Sequence, residues 1–139
     1  MKVTILPPAG ATPIILGDDP ERNFISDFQR SQERTFEVAE PVRAKYKALF
    51  DRANRLNTRT YQVDRAHSSE AEAFKFAETH ADLVPNQAHV KIEDAGSVRW
   101  LASALITTVV CRAHNGLTTV TTYTILSGES LSVQPAPVS

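Results

Sequence analysis

Residues 101–126 read LASALITTVVCRAHNGLTTVTTYTIL, two long β-forming runs joined through Asn115-Gly116. The first run, Leu101 to Ala113, carries no charge before Arg112. The second, Leu117 to Leu126, is almost wholly β-branched, aromatic or aliphatic. Asn-Gly between two such runs signals a two-residue type I′ turn, because both central positions need positive φ. Each arm is about ten residues or longer, roughly twice the usual strand length. A hairpin of that length with so little charge needs cover, from its own domain or from a neighbouring subunit. The pattern points to a building block rather than a catalyst.

The chain has 139 residues, enough for one domain that buries roughly two-thirds of its unfolded surface without staples. A net charge of −1 supplies no field to attract nucleic acid or an acidic membrane. The single cysteine, Cys111, excludes an intrachain disulfide and a cysteine-rich zinc site. The start, MKVTILPPAGATPIILG, is broken by prolines after Leu6 and lacks the continuous apolar core of a secretory signal. No stretch reaches the ~20 apolar residues of a membrane span. The expectation is a soluble chain made in the cytosol.

Working outward, residues 1–35 read as an extended amino-terminal arm. Lys2 to Leu6 and Ile14 to Leu16 are short strand candidates, and Pro7-Pro8 and Pro13 confine the segment to an edge or a surface loop. Gly17-Asp18-Asp19-Pro20 reads as a turn. Asn23 to Arg34 places Phe24, Ile25 and Phe28 among polar residues, as a surface loop or as an arm that packs on a neighbour. Glu33 to Ala39 alternates Phe36 and Val38 with charged residues, a half-buried strand. Val42 to Asn57 fits two patterns. Val42, Tyr46, Leu49, Phe50, Ala53 and Leu56 recur at helical spacing, whereas Ala44, Tyr46, Ala48 and Phe50 alternate as in a strand.

The signals sharpen at Thr58. Thr58 to Asp64 alternates, with Tyr61 and Val63 on one face. Ser69 with Glu72 makes a capping box that starts a helix over about 69–83, and Pro85 ends it. Phe74 and Phe76 lie about 200° apart around that helix, so only one faces the sheet. Ala88 to Glu93 is an alternating strand with Val90 and Ile92 inward, Ala95-Gly96 turns into the hairpin, and Glu129 to Val133 supplies a last short strand. The order describes an α+β domain over 36–133, mainly an antiparallel β-sandwich-like sheet with one flanking helix, followed by a Pro-bearing tail over 134–139.

No catalytic pattern emerges. His67, His80, His89 and His114 form no HxH or HExxH pair, so no metal site is expected. His80 near the helix carboxyl end suits the dipole there. Cys111 inside an apolar strand reads as a small buried hydrophobe rather than a nucleophile. Asp18-Asp19 and Glu93-Asp94 read as solvated turn carboxylates. The five glycines are spread singly and build no phosphate loop. The run Arg43, Lys45, Lys47, Arg52, Arg55 and Arg59 is read first as a solvated face balanced by Glu37, Glu40 and Asp51, and second as a surface for nucleic acid or an acidic partner. No cofactor is expected.

The succession Arg52-Ala53-Asn54, Thr60 to Arg65, the helix from Ser69 to His80, Leu83-Val84-Pro85, His89 to Ile92, Trp100 to Ala104 and Tyr123 to Gly128 resembles small tail proteins of long-tailed bacteriophages, of the tail-tube or baseplate type. The resemblance covers roughly Arg52 to Ser130. It implies a structural virion protein of the tail tube, baseplate or tail-completion kind, made in the host cytoplasm and resident in the tail. Copies would form a homo-oligomeric ring and meet other tail proteins, with DNA passing through a threonine-lined lumen without sequence-specific contact. Phe24, Phe28, Phe74, Leu105, Val109, Asn115, Gly116, Val120 and Tyr123 are the expected assembly residues. The alternative is a stand-alone carbohydrate- or peptide-binding module that uses Trp100 and Tyr123 as exposed aromatic contacts.

Overall fold

The computed structural model describes residues 1–7, 11–35, 54–114 and 116–135. The two patterns over Val42 to Asn57 fall outside these residues up to position 53, as does the expected strand beyond residue 35. In chain order the elements are β1 (Lys2–Leu6), β2 (Ile14–Leu16), β3 (Asn23–Thr35), β4 (Asn54–Ala66), α1 (Glu70–Leu83), β5 (Gln87–Asp94), β6 (Ser97–His114) and β7 (Thr118–Ser127). The strands join in one sheet, ordered β2-β1-β5-β6-β7-β4-β3, with every pair antiparallel. A mostly antiparallel sheet with one helix is the α+β composition expected.

Residues 1–35 are not an arm. β1 lies between β2 and β5, and β3 pairs with β4 along its whole length. Alternation in β1 sends Val3 and Ile5 into the core, where they meet Leu16 of β2, and all three are fully buried. The prolines that argued for an exposed arm fall outside the strands: Pro7 follows β1 and Pro13 precedes β2. The loop reading of Asn23 to Arg34 fails for a different reason. A bulge between Ile25 and Asp27 shifts the register, so Ile25 opposite Val63 and Phe28 opposite Tyr61 share one face although three residues apart. The period of two is hidden by one inserted residue.

β6 makes the corner of the molecule. Its first half pairs with β5, from Asp94↔Ser97 to Gln87↔Leu105, and its second half with β7, from Leu105↔Leu126 to His114↔Thr118. Ser103 sits at φ 48°, a strained value, in the irregularity where Ala88 opposes Ala104 and Val90 opposes Leu101, two residues before the partner changes. On the side that β7 leaves open, Leu131 bridges to Trp100, the only described trace of the last short strand. The sheet curls enough that Phe28 of β3, Tyr61 of β4, Ile92 of β5 and Arg99 of β6 line a common cleft.

The turns follow local chemistry. Ala95 and Gly96 both have positive φ (48° and 83°) between paired Asp94 and Ser97, the two-residue geometry of a primed turn. At the other connection three residues separate the paired His114 and Thr118, and Gly116 has φ 71°. Gly17, at φ 84°, passes so close to Met1 that a Cβ would lie 2.6 Å from its carbonyl oxygen. The Asn23 side chain fixes this turn, accepting from Gly17 N (3.1 Å) and donating to Ile15 O (2.9 Å).

The helix begins as its sequence suggests. Ser69 Oγ accepts from Glu72 N at 3.2 Å, while the Glu72 carboxylate takes its hydrogen bond from Ser68 Oγ. Phe76 faces the sheet, and Phe74 points away and is half exposed.

Because β1 and β2 complete the core, removing residues 1–16 should abolish folding rather than merely loosen association. Circular dichroism should then show no cooperative melt; a truncated chain that melts like the parent would restore the arm.

Candidate functional site

Two strands at the middle of the curled sheet determine what lies inside. Alternation in β4 turns Asn57, Arg59, Tyr61, Val63 and Arg65 inward, and alternation in β7 does the same for Thr119, Thr121, Tyr123, Ile125 and Ser127. The belt between them is apolar, built from Val3, Ile5, Leu16, Val63, Val90, Leu101 and Ile125. Polar groups gather at its two ends, one under α1 and one opposite.

Under α1, Arg65 donates to Thr121 Oγ1 (3.2 Å), and its guanidinium lies 5.0 Å from the Phe76 ring centre and 5.6 Å from that of Tyr123. Two aromatic faces thus take part of the role a carboxylate would play for this buried cation. His80 hydrogen-bonds the Tyr123 hydroxyl at 2.5 Å and stacks on Phe76. His67 reaches Thr119 Oγ1 at 2.7 Å. Burial and the nearby Arg65 charge push the His80 pKa down to about 4, so the imidazole is neutral at pH 7. The helix-dipole role expected for His80 required a cation. The structure instead seats a neutral ring beside a phenol, and Tyr123 is itself pushed up to about 12, chiefly by burial.

At the opposite end, Arg30, Arg59 and Arg99 converge. Arg59 is only 5% exposed and donates to Ser127 Oγ at 3.0 Å. Arg30 donates to Asn57 Oδ1 through both Nη2 (2.8 Å) and Nε (3.3 Å). Asn57 in turn donates to Gly128 O at 3.2 Å. The Arg59 pKa is lowered, first by burial and then by the Arg30 and Arg99 charges, against a raising influence of Tyr61. The sequence reading placed Arg59 on a solvated face; its burial corrects that. Arg43, Lys45, Lys47 and Arg52 lie outside the described residues.

The expected assembly residues divide. Phe24 and Phe28 on β3, Phe74 on α1 and Leu105 on β6 are exposed, although Phe28 also stacks on Tyr61 at 4.9 Å. Val109 packs against the core, Gly116 is partly covered, and Asn115 lies outside the described residues. Val120 and Tyr123 are buried within the subunit and present no surface to a neighbour. Trp100 is buried too, so the binding-module alternative loses both of its exposed aromatics. Cys111 is half-buried rather than enclosed. Among the described residues no three metal-ligating side chains gather, and no helix is long and apolar enough to cross a membrane. The buried arginines were missed, yet Arg59 and Arg65 stand at even spacing from Tyr61 and Val63, so the same alternation sends them inward.

The unfolded chain protonates His80 near its ordinary value of 6.5, whereas the fold resists until about pH 4. Stability should be full above pH 6.5 and fall as pH drops towards 4, by about 2 to 3 kcal/mol from this group. His80→Gln, which keeps a polar partner for Tyr123 but cannot titrate, should flatten thermal melts between pH 7 and 5. An equally steep pH dependence in the variant would assign the loss to other groups. No protein-family model matches the chain, and no curated protein or solved structure matches it.

Proposed function

We propose that this chain is a structural subunit that assembles edge to edge into a ring, of the tail-tube, baseplate or tail-completion kind found in long-tailed bacteriophages. The supporting observation is a pair of long strand edges with no described partner. β3 forms the outer border of the sheet along thirteen residues, with its inner side on β4. Beyond Ile106, β6 pairs with β7 on one side and with no described strand on the other.

Free rows of N–H and C=O groups are a hazard that soluble proteins usually blunt with Lys, Pro or short strands. β3 contains neither Lys nor Pro, and β6 runs ITTVVC from 106 to 111 without a charge. Pairing β3 of one copy with β6 of the next is heterologous, so repetition closes a ring or extends a filament. The exposed Phe24 and Phe28 on one edge strand, and Val110 on the other, supply apolar area for the contact, with the exposed Leu105 next to the open stretch. Thr119 and Thr121 are buried and cannot line a lumen, whereas Thr107 and Thr108 are exposed on β6. Such a wall, polar and without net charge, suits DNA passage.

The test is the mass and form of the purified chain. Light scattering and negative-stain images should show closed rings or stacked tubes at high protein concentration. Val110→Lys should leave the far-UV spectrum and the melt unchanged and weaken assembly at least tenfold, about 1.4 kcal/mol. A parent chain that stays monomeric at every concentration would sink the reading.

A further inference from the structure

Arg30 and Arg59 are direct cross-strand partners on β3 and β4, so two like charges face one another across the ladder. Such pairs are destabilising unless something between them is negative. Arg99 approaches the same place from β6, across the curl of the sheet. Two adjoining clefts of about 200 and 260 Å³ are each lined by all three arginines. Glu129 lines the second cleft and Asp94 the first, and among the described residues Asp94 lies within ion-pair distance of none of the three guanidinium groups. Arg59 is the sharpest case: a cation almost removed from water, with one neutral hydroxyl as its hydrogen-bond partner. A buried charge held that way is costly without a counter-charge.

The geometry points to a binding site for a tetrahedral oxyanion of the phosphate class, seated between Arg30, Arg59 and Arg99. Guanidinium groups offer paired N–H donors that fit phosphate oxygens with charge-assisted hydrogen bonds. The three come from three strands, β3, β4 and β6, and together offer more donors than the two oxygens of one carboxylate can accept. A tetrahedral anion presents oxygens in every direction. Asn57 and Gln32 complete the seat: the Asn57 carbonyl oxygen holds Arg30 in place and accepts from Gln32 Nε2 at 3.3 Å. Tyr61, whose phenol burial pushes up to about 12, stays protonated beside them and adds no negative charge of its own. Arg30 stands on the edge strand β3, yet its guanidinium bonds Asn57 of β4 rather than the outer ladder groups, so phosphate binding and edge pairing are read by separate experiments.

The experiment uses the full chain and inorganic phosphate as the probe. Titration calorimetry and thermal melts at low millimolar phosphate are compared with chloride at equal ionic strength, because molar phosphate stabilises any protein by exclusion. The parent should bind phosphate and melt higher with it. Arg30→Gln and Arg99→Gln alter exposed side chains and should fold; each should melt at or above the parent without phosphate and lose at least tenfold in phosphate affinity. Should one variant fail to fold, the other carries the comparison. The proposal is overturned if the parent shows no response beyond that to chloride, if both variants respond like the parent, or if acetate binds as well as phosphate. Sulfate binding equal to phosphate would support the class and leave the free or esterified source to a second arm with a phosphomonoester.

Discussion

The strict two-residue period of β4 and β7 constrains everything else in this molecule. A strand buried on one face must fill that face at every second position, whatever residue stands there. In β4 this rule delivers Tyr61 and Val63 to the apolar belt and Arg59 and Arg65 to its ends. A shift of one residue would send both arginines out and the belt into water, so the register is strongly fixed. The fold tolerates the arginines because each end supplies partners of a different kind. Phe76, Tyr123 and Thr121 surround Arg65, while Ser127 is the hydrogen-bond partner of Arg59.

That asymmetry separates a structural end from a receptive one. Under α1 the cation is stacked between rings and the imidazole is neutral, so the charge is accommodated within the subunit. Opposite, three guanidinium groups share the lining of two clefts, and the Arg59 pKa is lowered first by burial and then by the Arg30 and Arg99 charges. The same chain thus has one polar cluster complete in itself and one in which three cations gather around two clefts. The sheet repeats the theme in its backbone, with ladder groups on the outer side of β3 and on β6 beyond Ile106 that no described strand answers.

Much of this was legible in the letters, and the failures have identifiable physical causes. The helix from Glu70 was readable because Ser69 and Glu72 act locally, within one turn. β5, β6 and β7 were readable from their β-forming runs, although the two-residue turn expected at Asn115-Gly116 is a three-residue connection between His114 and Thr118. β3 was misread since its bulge at Ile25/Asp27 breaks the period, and β1 because its neighbouring prolines look like loop formers although they lie outside the strand. The arginine cluster required knowing that Arg30 and Arg59 stand opposite one another, a fact of register rather than of either segment. His80 was assigned a charge from its place on the helix, and the opposing desolvation comes from packing that no local pattern reveals.

The position of β1 governs how the chain can reach its final form. Val3 pairs with Ile92, and Ile5 with Val90, so the opening strand finds its principal neighbour only after most of the polypeptide exists. On a ribosome those apolar residues have only β2 as a sheet neighbour while β3, β4, α1 and β5 emerge. Such distant pairing raises contact order and slows folding relative to the neighbouring ladders of β5, β6 and β7. The β1–β2 pair therefore joins the rest of the sheet only through β5, a late clasp on that border of the wall.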